Sequence, residues 1–257
     1  MIKKTDISII IPCYNEANNI KRGALQQVYD YLIGQQKFSW ELIVSDDGSS
    51  DDSLNLVKEF ASDKKNLKVL ENKHGGKPWA VWKGIEKATG KLVLFTDLDQ
   101  STPIVEIEKL LPWFGEGYQV VIGSRGKTRK DASWFRKLMA FCFLLFRKTF
   151  LLRDILDTQC GFKAFERKVA LEIFPRLQFF QELDKASGWN VSAFDVELLF
   201  ITQKWGYRIK EIEINWKNED TSTSKKQNFI KESKNMAKEI FRVRLNDYRG
   251  KYERKRA

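Results

Sequence analysis

Residues 93–103 read Val-Leu-Phe-Thr-Asp-Leu-Asp-Gln-Ser-Thr-Pro, an apolar run followed by two carboxylates two positions apart. In an extended chain, side chains at this spacing project to the same side. Because an unpaired charge inside a strand is costly, the pattern predicts a strand that ends at Asp97 and Asp99. Two carboxylates at a strand end can share one hard cation, and Mg²⁺ commonly keeps positions for substrate phosphates. The stretch therefore predicts a strand that leads into a site for a metal ion and a diphosphate.

The composition indicates a folded, basic protein. Of its 257 residues, 42% are hydrophobic, and the formal net charge is +11. The positive charge favours an acidic partner, which could be nucleotide phosphates, nucleic acid or an anionic membrane surface, or it serves solubility alone. Three scattered cysteines without a CxxC pair predict reduced thiols. The single histidine, His74, excludes a multi-histidine metal site within the chain.

Short apolar runs alternate with helical patterns over the first half of the chain. The predicted strands are Ile7–Ile11, Glu41–Ser45, Leu67–Leu70, Lys91–Thr96 and Gln119–Gly123. Helical patterns lie between them, over residues 16–36, 51–62, 78–88 and 103–114. This alternation predicts an α/β fold with a doubly wound, mainly parallel sheet flanked by helices. In such sheets, ligands bind beyond the carboxyl ends of the strands.

Polar clusters follow four of the predicted strands. They are Pro12–Glu16, Asp46–Ser49, Asn72–Lys77 and Asp97–Asp99. At the shared edge, Asp46 or Asp47 can accept hydrogen bonds from a base or a ribose. Gly75 and Gly76 would let the backbone approach a phosphate, and Lys77 would supply charge at a helix N-terminus. Each cluster alone is also compatible with a solvated turn, and no GxGxxG or GxxxxGK[ST] motif supports a dinucleotide or P-loop site.

Five motifs together resemble a known enzyme family. Residues 9–16, 46–51 and 97–99 resemble family-2 glycosyltransferases, which have the GT-A fold, a Rossmann-like arrangement. Residues 157–163, Asp-Thr-Gln-Cys-Gly-Phe-Lys, and residues 194–199 narrow the resemblance to dolichyl-phosphate β-glucosyltransferases and related polyprenyl-phosphate glycosyltransferases. The resemblance covers about residues 5 to 225, and its most specific part is the string 157–163.

The resemblance implies site residues, a cofactor and substrates. The positions that match nucleotide-sugar binding are Pro12, Tyr14, Glu16, Asp46, Asp47, Lys77, Asp97 and Gln159. The positions expected to meet the acceptor phosphate are Ser124, Arg125 and Arg136. The catalytic candidates are Asp99, Asp157, Asp195 and Lys163. Asp97 and Asp99 match the motif that binds Mg²⁺ or Mn²⁺ with the donor diphosphate. Ser101 stands where the mannose synthases tend to carry a glutamine. The resemblance therefore does not assign a third metal ligand.

The implied reaction is the inverting transfer of a sugar, with UDP-glucose favoured as donor, to a polyprenyl or dolichyl phosphate. Such a phosphate has a second pKa of ~6 and is largely dianionic at neutral pH, so a strong general base is not essential. Arginines suit this acceptor because their fork matches phosphate oxygens. Asp195 or Glu197 could orient the sugar or act as base, or be acids favoured at a helix N-terminus. The alternatives are transfer to a hydroxyl acceptor in polysaccharide synthesis and a basic nucleic-acid-binding protein; nucleic acid is not the expected partner.

Two segments outside the α/β core predict contact with a membrane. We expect a glycosyltransferase domain over residues 1–224, with an inserted amphipathic helix over 134–153, and a basic helical tail over 225–257. The tail places Phe229, Met236, Ile240 and Val243 at helical spacing among cations. The longest apolar run, Leu138–Phe146, is about half of the ~20 residues that a transmembrane helix needs. The expected location is therefore cytoplasmic and peripheral, on anionic lipid at the cytoplasmic face of a membrane, with a core helix and a solvated tail as the alternative.

Overall fold

One mixed sheet organises the chain. The computed structural model describes residues 5–126, 152, 155–181, 194–221 and 229–254, without the side chains of 179, 181, 229–237 and 239. The strands of the described part are β1 (Ile7–Cys13), β2 (Trp40–Asp46), β3 (Leu67–Glu71), β4 (Leu92–Phe95), β5 (Val120–Ser124), β6 (Lys163–Glu166) and β7 (Ile209–Glu213). They lie in the order β3-β2-β1-β4-β6-β5-β7. All neighbouring pairs are parallel except those that β6 makes with β4 and β5.

Helices connect these strands and cover the sheet. In the described residues they are α1 (Ala17–Lys21), α2 (Ala24–Gly34), α3 (Ser53–Ala61), α4 (Lys77–Lys87), α5 (Ile107–Leu110), α6 (Pro112–Gly115), α7 (Arg167–Ile173), α8 (Gln178–Gln181), α9 (Phe194–Lys204) and α10 (Phe229–Tyr248). The helical pattern predicted over residues 16–36 is divided into α1 and α2. The division falls at Gly23, whose φ of 89° lies in the left-handed region that glycine tolerates.

The strand β1 shows why the sheet forms. Its isoleucines are buried on both faces, as a central parallel strand requires. Ile10 belongs to one core cluster, with Ile43 and Phe95, and Ile9 belongs to another on the opposite face. This alternation follows from the two-residue period of a strand. The predicted α/β fold, with a mainly parallel sheet flanked by helices, is confirmed.

The antiparallel strand β6 was not among the predicted strands. It lies between β4 and β5, and its first residue, Lys163, is in register with Phe95 at the end of β4. Because β6 runs against its neighbours, its amino end lies at the edge where β4 and β5 have their carboxyl ends. The motif 157–163 is thereby brought to the same edge of the sheet as Asp97 and Asp99.

The C-terminal helix α10 packs on the main core. Ile240 and Val243 are fully or almost fully buried and belong to the core cluster that contains Phe95. The predicted membrane-facing stripe is thus wrong at these two positions, because they face α9 and the protein interior. Of the predicted helix over 134–153 only Leu152 lies among the described residues, and it is buried in the same core. No helix in the described ranges is both long and apolar enough to cross a membrane.

Candidate active site

The two predicted metal ligands follow β4 at the carboxyl edge of the sheet. Lys77, the first residue of α4, forms an ion pair with Asp97. Burial lowers the pKa of Lys77, but the charges of Asp97 and Asp195 and the hydrogen bond to Asp97 outweigh it, so the pKa is raised overall. Lys77 therefore stays charged and places a cation directly beside the carboxylates.

Asp99 is held in a tight turn. The backbone N–H of Ser101 donates to its Oδ1 at 2.8 Å, and the guanidinium of Arg22 donates to its carbonyl oxygen. Burial raises the pKa of Asp99, and the negative charges of Asp97 and Asp220 raise it further. The hydrogen bonds from Ser101 lower it, but they do not outweigh these effects. A desolvated carboxylate close to other carboxylates is an arrangement that a cation would stabilise.

Gly161 explains why the motif 157–163 contains a glycine. A Cβ atom at this position would clash with the carboxylate of Asp97. Only a residue without a side chain lets the backbone of the motif approach Asp97 so closely. The string 157–163 and the Asp-x-Asp turn (residues 97–99) are thus packed against each other, as their shared place at the sheet edge requires.

Lys163 and Asp195 form a buried ion pair. The Nζ of Lys163 lies 2.7 Å from Oδ1 of Asp195, also donates to the carbonyl of Cys160, and is fully buried. It lies 5.4 Å from the centre of the Phe95 ring. Asp195 stands in the first turn of α9. Because each charge is shielded from water by the fold, each depends on the other for compensation.

Glu197 does not share this site. It is 1% exposed and accepts hydrogen bonds from the hydroxyl of Tyr252, at 2.6 Å, and the backbone N–H of Gln178, at 3.0 Å. These bonds attach the C-terminal segment to α9 inside the core. The structure therefore does not support Glu197 as a base, and of the two acids only Asp195 contacts the site.

Arg125 and Asp157 form the second ion pair at this edge. The Nε and Nη2 atoms of Arg125 donate to the two carboxylate oxygens at 2.7 and 2.9 Å, and the backbone N–H of Arg125 donates as well, at 3.0 Å. Burial raises the pKa of Asp157, but the hydrogen bonds and charge of Arg125 outweigh it and lower the pKa. Arg125 has five N–H donors in its side chain. The two bonds to Asp157 fix the guanidinium and leave the remaining donors to other groups.

Two neighbours hold this pair in place. The carboxylate of Glu211, on β7, accepts the backbone N–H groups of Leu156 and Asp157 at 2.7 and 2.6 Å. The ring of Trp216 lies 5.7 Å from the guanidinium carbon of Arg125 and is 40% exposed. Arg125 thus lies between a carboxylate and an exposed aromatic ring.

Asp46 shapes the turn after β2. Its Oδ2 accepts the backbone N–H groups of Gly48 and Ser49 at 2.9 and 3.1 Å, and its Oδ1 accepts the hydroxyl of Ser49 at 2.6 Å. The side chain is fully buried. In this structure Asp46 stabilises the turn, and a direct contact with a nucleotide stays a prediction.

Asp47 anchors the glycine loop before α4. Its carboxylate oxygens accept the backbone N–H groups of Gly75 and Gly76, each at 2.8 Å. Asp47 thus binds both of these N–H groups in this structure, and a close approach of the loop backbone to a phosphate stays a prediction. Burial raises the pKa of Asp47, although the hydrogen bonds from the loop and the contact with His74 act to lower it. The loop position of Lys77 therefore depends on Asp47.

The rim beside this loop carries an aromatic pair. The rings of Tyr14 and His74 stack with their centres 4.4 Å apart. The Nδ1 of His74 lies 3.0 Å from the carbonyl oxygen of Asp47, so the histidine is held against the turn after β2. Tyr14 is 43% exposed. An exposed stacked pair next to β1 and β2 offers a flat surface to a planar ligand.

Some functional candidates carried no sequence signal. Arg22, in the break between α1 and α2, binds the carbonyl of Asp99 and the side chain of Asn19. Residues 217–221, here called the crossing segment, pass over the Asp-x-Asp turn: Lys217 N–H donates to Ser101 O at 2.8 Å, and Thr221 Oγ1 donates to Asn19 Oδ1 at 2.8 Å. The contacts of Arg22 with Asp99 and of Thr221 with Asn19 join positions 77 and 202 residues apart, which no local pattern reveals.

The remaining predicted residues that the structure describes lie at or near the same edge. Pro12 and Glu16 flank the end of β1, and Ser124 ends β5 and is buried. Gln159 is exposed, and its backbone N–H donates to Asp157 at 3.1 Å. Arg136, predicted to meet the acceptor phosphate, lies outside the described residues. No described contact therefore tests the role of Arg136.

The fold resembles that of known sugar-nucleotide enzymes. A glucosyl-3-phosphoglycerate synthase from Mycobacterium tuberculosis, solved with Mn²⁺, UDP-glucose and phosphoglyceric acid, superposes with a TM-score of 0.63 over 94% of this chain and 80% of that chain. The two sequences are 17% identical. At this identity the likeness concerns the fold, which is of the GT-A type.

Sequence comparisons identify the family. The family model described as glycosyl transferase family 2 matches residues 8–174. A dolichyl-phosphate β-glucosyltransferase from Dictyostelium discoideum is 33% identical over 256 residues, covering 93% of this chain and 74% of that protein. The enzyme of the same name from Homo sapiens is 33% identical over 229 residues, covering 82% and 67%. The chain is therefore a glycosyltransferase that belongs to glycosyl transferase family 2, and within it the chain is similar to the dolichyl-phosphate β-glucosyltransferases.

Proposed function

We propose that the protein transfers glucose from UDP-glucose to the phosphate of a dolichyl or other polyprenyl phosphate, with inversion at the sugar carbon. The observation that carries the proposal is the pairing of Lys77 with Asp97 and of Arg125 with Asp157 around one end of the sheet. The reaction must bring a donor diphosphate close to an acceptor phosphate, and cations beside both anions reduce their repulsion. The names of the relatives, and UDP-glucose in the structural neighbour, support this choice of substrates.

Different charged side chains of the protein bind the donor and the acceptor. Lys77 neutralises charge on the donor diphosphate, and Arg125 binds the acceptor phosphate with the N–H donors that Asp157 does not use. The acceptor phosphate is largely dianionic at neutral pH, because its second pKa is ~6, and it attacks without a strong base. Asp195, held by Lys163, orients the sugar. Tyr14 lies where it can stack on the nucleotide base.

We propose Mg²⁺ or Mn²⁺ as the cofactor. The carboxylates of Asp97 and Asp99 are hard oxygen donors of the kind these ions prefer. Among the described residues no group of three or more His, Cys, Asp or Glu side chains could hold a metal ion. Two carboxylates suit an ion whose other positions are taken by donor phosphates and water. When bound, the ion stabilises the charge that develops on the leaving diphosphate.

We also propose that the enzyme works on a membrane surface, from its cytoplasmic face, since the acceptor is a lipid. Three exposed apolar residues of α10 fall at i, i+4 and i+7 and share one face: Phe241, Leu245 and Tyr248. Arg244 and Arg249 are exposed beside them. Apolar residues flanked by arginines suit the boundary between lipid headgroups and acyl chains. This face replaces the predicted stripe through Ile240 and Val243.

The substrates are tested with a panel of nucleotide sugars and acceptors. We expect transfer from UDP-glucose to a short polyprenyl phosphate, and much slower transfer from GDP-mannose or UDP-N-acetylglucosamine. Product formation is measured with radiolabelled sugar, and the anomeric configuration of the product by NMR. Transfer to oligosaccharide hydroxyls, with none to the lipid phosphate, would instead support a polysaccharide synthase. Transfer from none of the donors to any acceptor would refute the proposal.

Membrane contact is tested by sedimentation with vesicles that contain anionic phospholipid. We expect the protein to pellet with these vesicles at low salt and to be released by salt or by Leu245→Glu. Because Leu245 is 48% exposed, the added charge is compatible with folding, and circular dichroism checks this. Ile33→Glu, which adds the same charge at an exposed apolar residue of α2, serves as a control. If the wild-type protein stays in the supernatant at low salt, the membrane proposal is wrong. The proposed substrates are not affected by this result.

A further inference from the structure

Gln100, which follows the Asp-x-Asp turn, combines two unfavourable features. Its φ is 50°, in the left-handed region that residues other than glycine seldom adopt. Its side chain is 6% exposed, and within the described part of the chain its Oε1 atom has no hydrogen-bond partner. Unfavourable backbone geometry and unpaired buried polar atoms concentrate at functional sites, where a ligand compensates for them.

The orientation of the Gln100 amide is determined by chemistry. Its Nε2 lies 2.7 Å from the carbonyl oxygen of Asp97. That oxygen can only accept a hydrogen bond, so the nitrogen of the amide must face it and the oxygen must be the unpaired atom. The amide oxygen is therefore held beside the Asp-x-Asp turn, and it is out of reach of bulk water. No group in the described part of the chain satisfies it, which leaves it open to a bound ion or an enclosed water molecule.

Two other oxygen groups near this turn take part in bonds to distant parts of the chain. The hydroxyl of Ser101 accepts the backbone N–H of Glu219 at 3.1 Å. The carboxylate of Asp220 accepts a hydrogen bond from the side chain of Asn19 at 3.3 Å. The Gln100 oxygen differs from both because it is buried and no described group bonds to it.

We propose that Oε1 of Gln100 is the third protein oxygen of the divalent-cation site formed with Asp97 and Asp99. A neutral amide oxygen is a regular ligand of hard cations. It adds a donor atom without adding negative charge to a site that must also hold a diphosphate. The inference rests on the metal dependence in the proposed function, and it assigns the third ligand that neither the sequence nor the resemblance identified.

Three variants separate a ligand from a residue that only stabilises the turn. Gln100→Glu keeps an oxygen at the end of the side chain but cannot donate to the carbonyl of Asp97. Gln100→Met has similar length and offers neither the oxygen nor the N–H donor. Gln100→Gly removes the side chain while suiting the positive φ, so it remains informative if the methionine variant folds poorly. Thermal unfolding without metal shows which variants are folded.

The measurement is the affinity for Mn²⁺ in the presence of UDP, followed by the free Mn²⁺ signal in electron paramagnetic resonance and by calorimetry. We expect Gln100→Met and Gln100→Gly to weaken Mn²⁺ binding about 10- to 100-fold. Gln100→Glu is expected to bind at least as tightly as wild type, because a carboxylate oxygen replaces the amide oxygen. No turnover is involved, so the result does not depend on the acceptor.

The outcomes separate this inference from the proposed function. Unchanged Mn²⁺ affinity in the methionine and glycine variants overturns the role of Gln100 and leaves the metal proposal intact. Equal weakening in all three variants also overturns it, because the bond from Nε2 to Asp97 would then be the feature that matters. If wild-type protein binds UDP equally well with and without Mn²⁺, both the metal proposal and this inference fail.

Discussion

The two halves of the site neutralise their carboxylates in different ways. On the side of β1, β2 and β3, Asp46 and Asp47 accept backbone N–H groups from their own turn and from the next loop. On the side of β5 and β6, Asp157 and Asp195 are paired with the cations Arg125 and Lys163, each 32 residues away. Backbone donors are present wherever a turn forms, whereas a partner cation must be supplied by a distant residue. The first half is therefore easier to read from the sequence, and the second half is more sensitive to single substitutions.

The largest effect is expected at the buried pair of the second half. Lys163→Met should destabilise the protein by about 3–5 kcal/mol, because it leaves Asp195 without its compensating charge. The double variant Lys163→Met with Asp195→Asn should recover much of the loss. Urea unfolding measures the free energy of unfolding. The exposed pair of Lys58 and Glu71 is the control, and Lys58→Met should change stability by less than about 1 kcal/mol. Equal losses of stability in Lys163→Met and Lys58→Met would contradict the difference expected between the buried pair and the exposed pair.

Between the halves, Asp99→Asn should abolish sugar transfer without unfolding the protein. An amide cannot supply the negative charge that a divalent ion requires, so we expect a loss of about a hundredfold or more in rate. The measurement is the initial rate with UDP-glucose and Mn²⁺, together with the melting temperature. Asp30→Asn, on the exposed face of α2, is the matched control. Retained activity in the Asp99 variant, or full wild-type activity in EDTA, would rule out the metal role of Asp99.

The contact that joins the halves is tested at Gly161. Gly161→Ala should place a methyl group against the carboxylate of Asp97 and displace it, at a cost of about 1–3 kcal/mol. We expect a rate loss larger than the loss of stability, because the displaced group is part of the site. Gly34→Ala, at the end of α2 with nothing within 4 Å of the added carbon, is the control. A fully active Gly161→Ala variant would show that this packing is not needed.

A smaller and more specific effect is expected at Arg125. Arg125→Lys keeps the charge but loses the two-pronged bond to Asp157. A lost charge-assisted hydrogen bond is worth about 1.5–3 kcal/mol, so the KM for polyprenyl phosphate should rise by roughly tenfold or more. The KM for UDP-glucose should stay within about twofold, because we propose that Arg125 binds the acceptor phosphate and not the donor. Equal increases for both substrates would assign Arg125 to the structure of the site as a whole.

The smallest effect is the contribution of Asp157 to acid stability. Its pKa in the folded protein is lowered, because Arg125 outweighs the effect of burial. The stabilisation is thus fully present above the unfolded pKa of about 3.9 and is lost as the pH falls through the lower folded pKa. We expect wild type and Asp157→Asn to differ by a constant free energy of unfolding between about pH 5 and 7. This difference in the free energy of unfolding should shrink below about pH 4. If it persists in acid, the ionised Asp157 is not the source of the stabilisation.

Several features of the site could be predicted from local sequence. The strands before Asp46 and Asp97 were visible as apolar runs, and their polar ends were placed at one sheet edge by the rule for parallel strands. The motif 157–163 indicated the family, which the comparisons confirm. The bonds from Gly75 and Gly76 to Asp47 were not predicted, since a pattern of glycines does not tell which acceptor their N–H groups bind.

What the sequence by itself determined is the alternation of strands and helices and the residue types at the strand ends, because these depend on neighbours within a few positions. What only the tertiary structure decided is which distant residues meet. The antiparallel strand β6 brings Lys163 beside Phe95, and the crossing segment reaches Asn19 from 202 residues away. The tertiary structure also decides that α10 buries Ile240 while it exposes Phe241. Such pairings follow from how whole faces pack against one another, and the free energy of that packing is not contained in any single stretch of the chain.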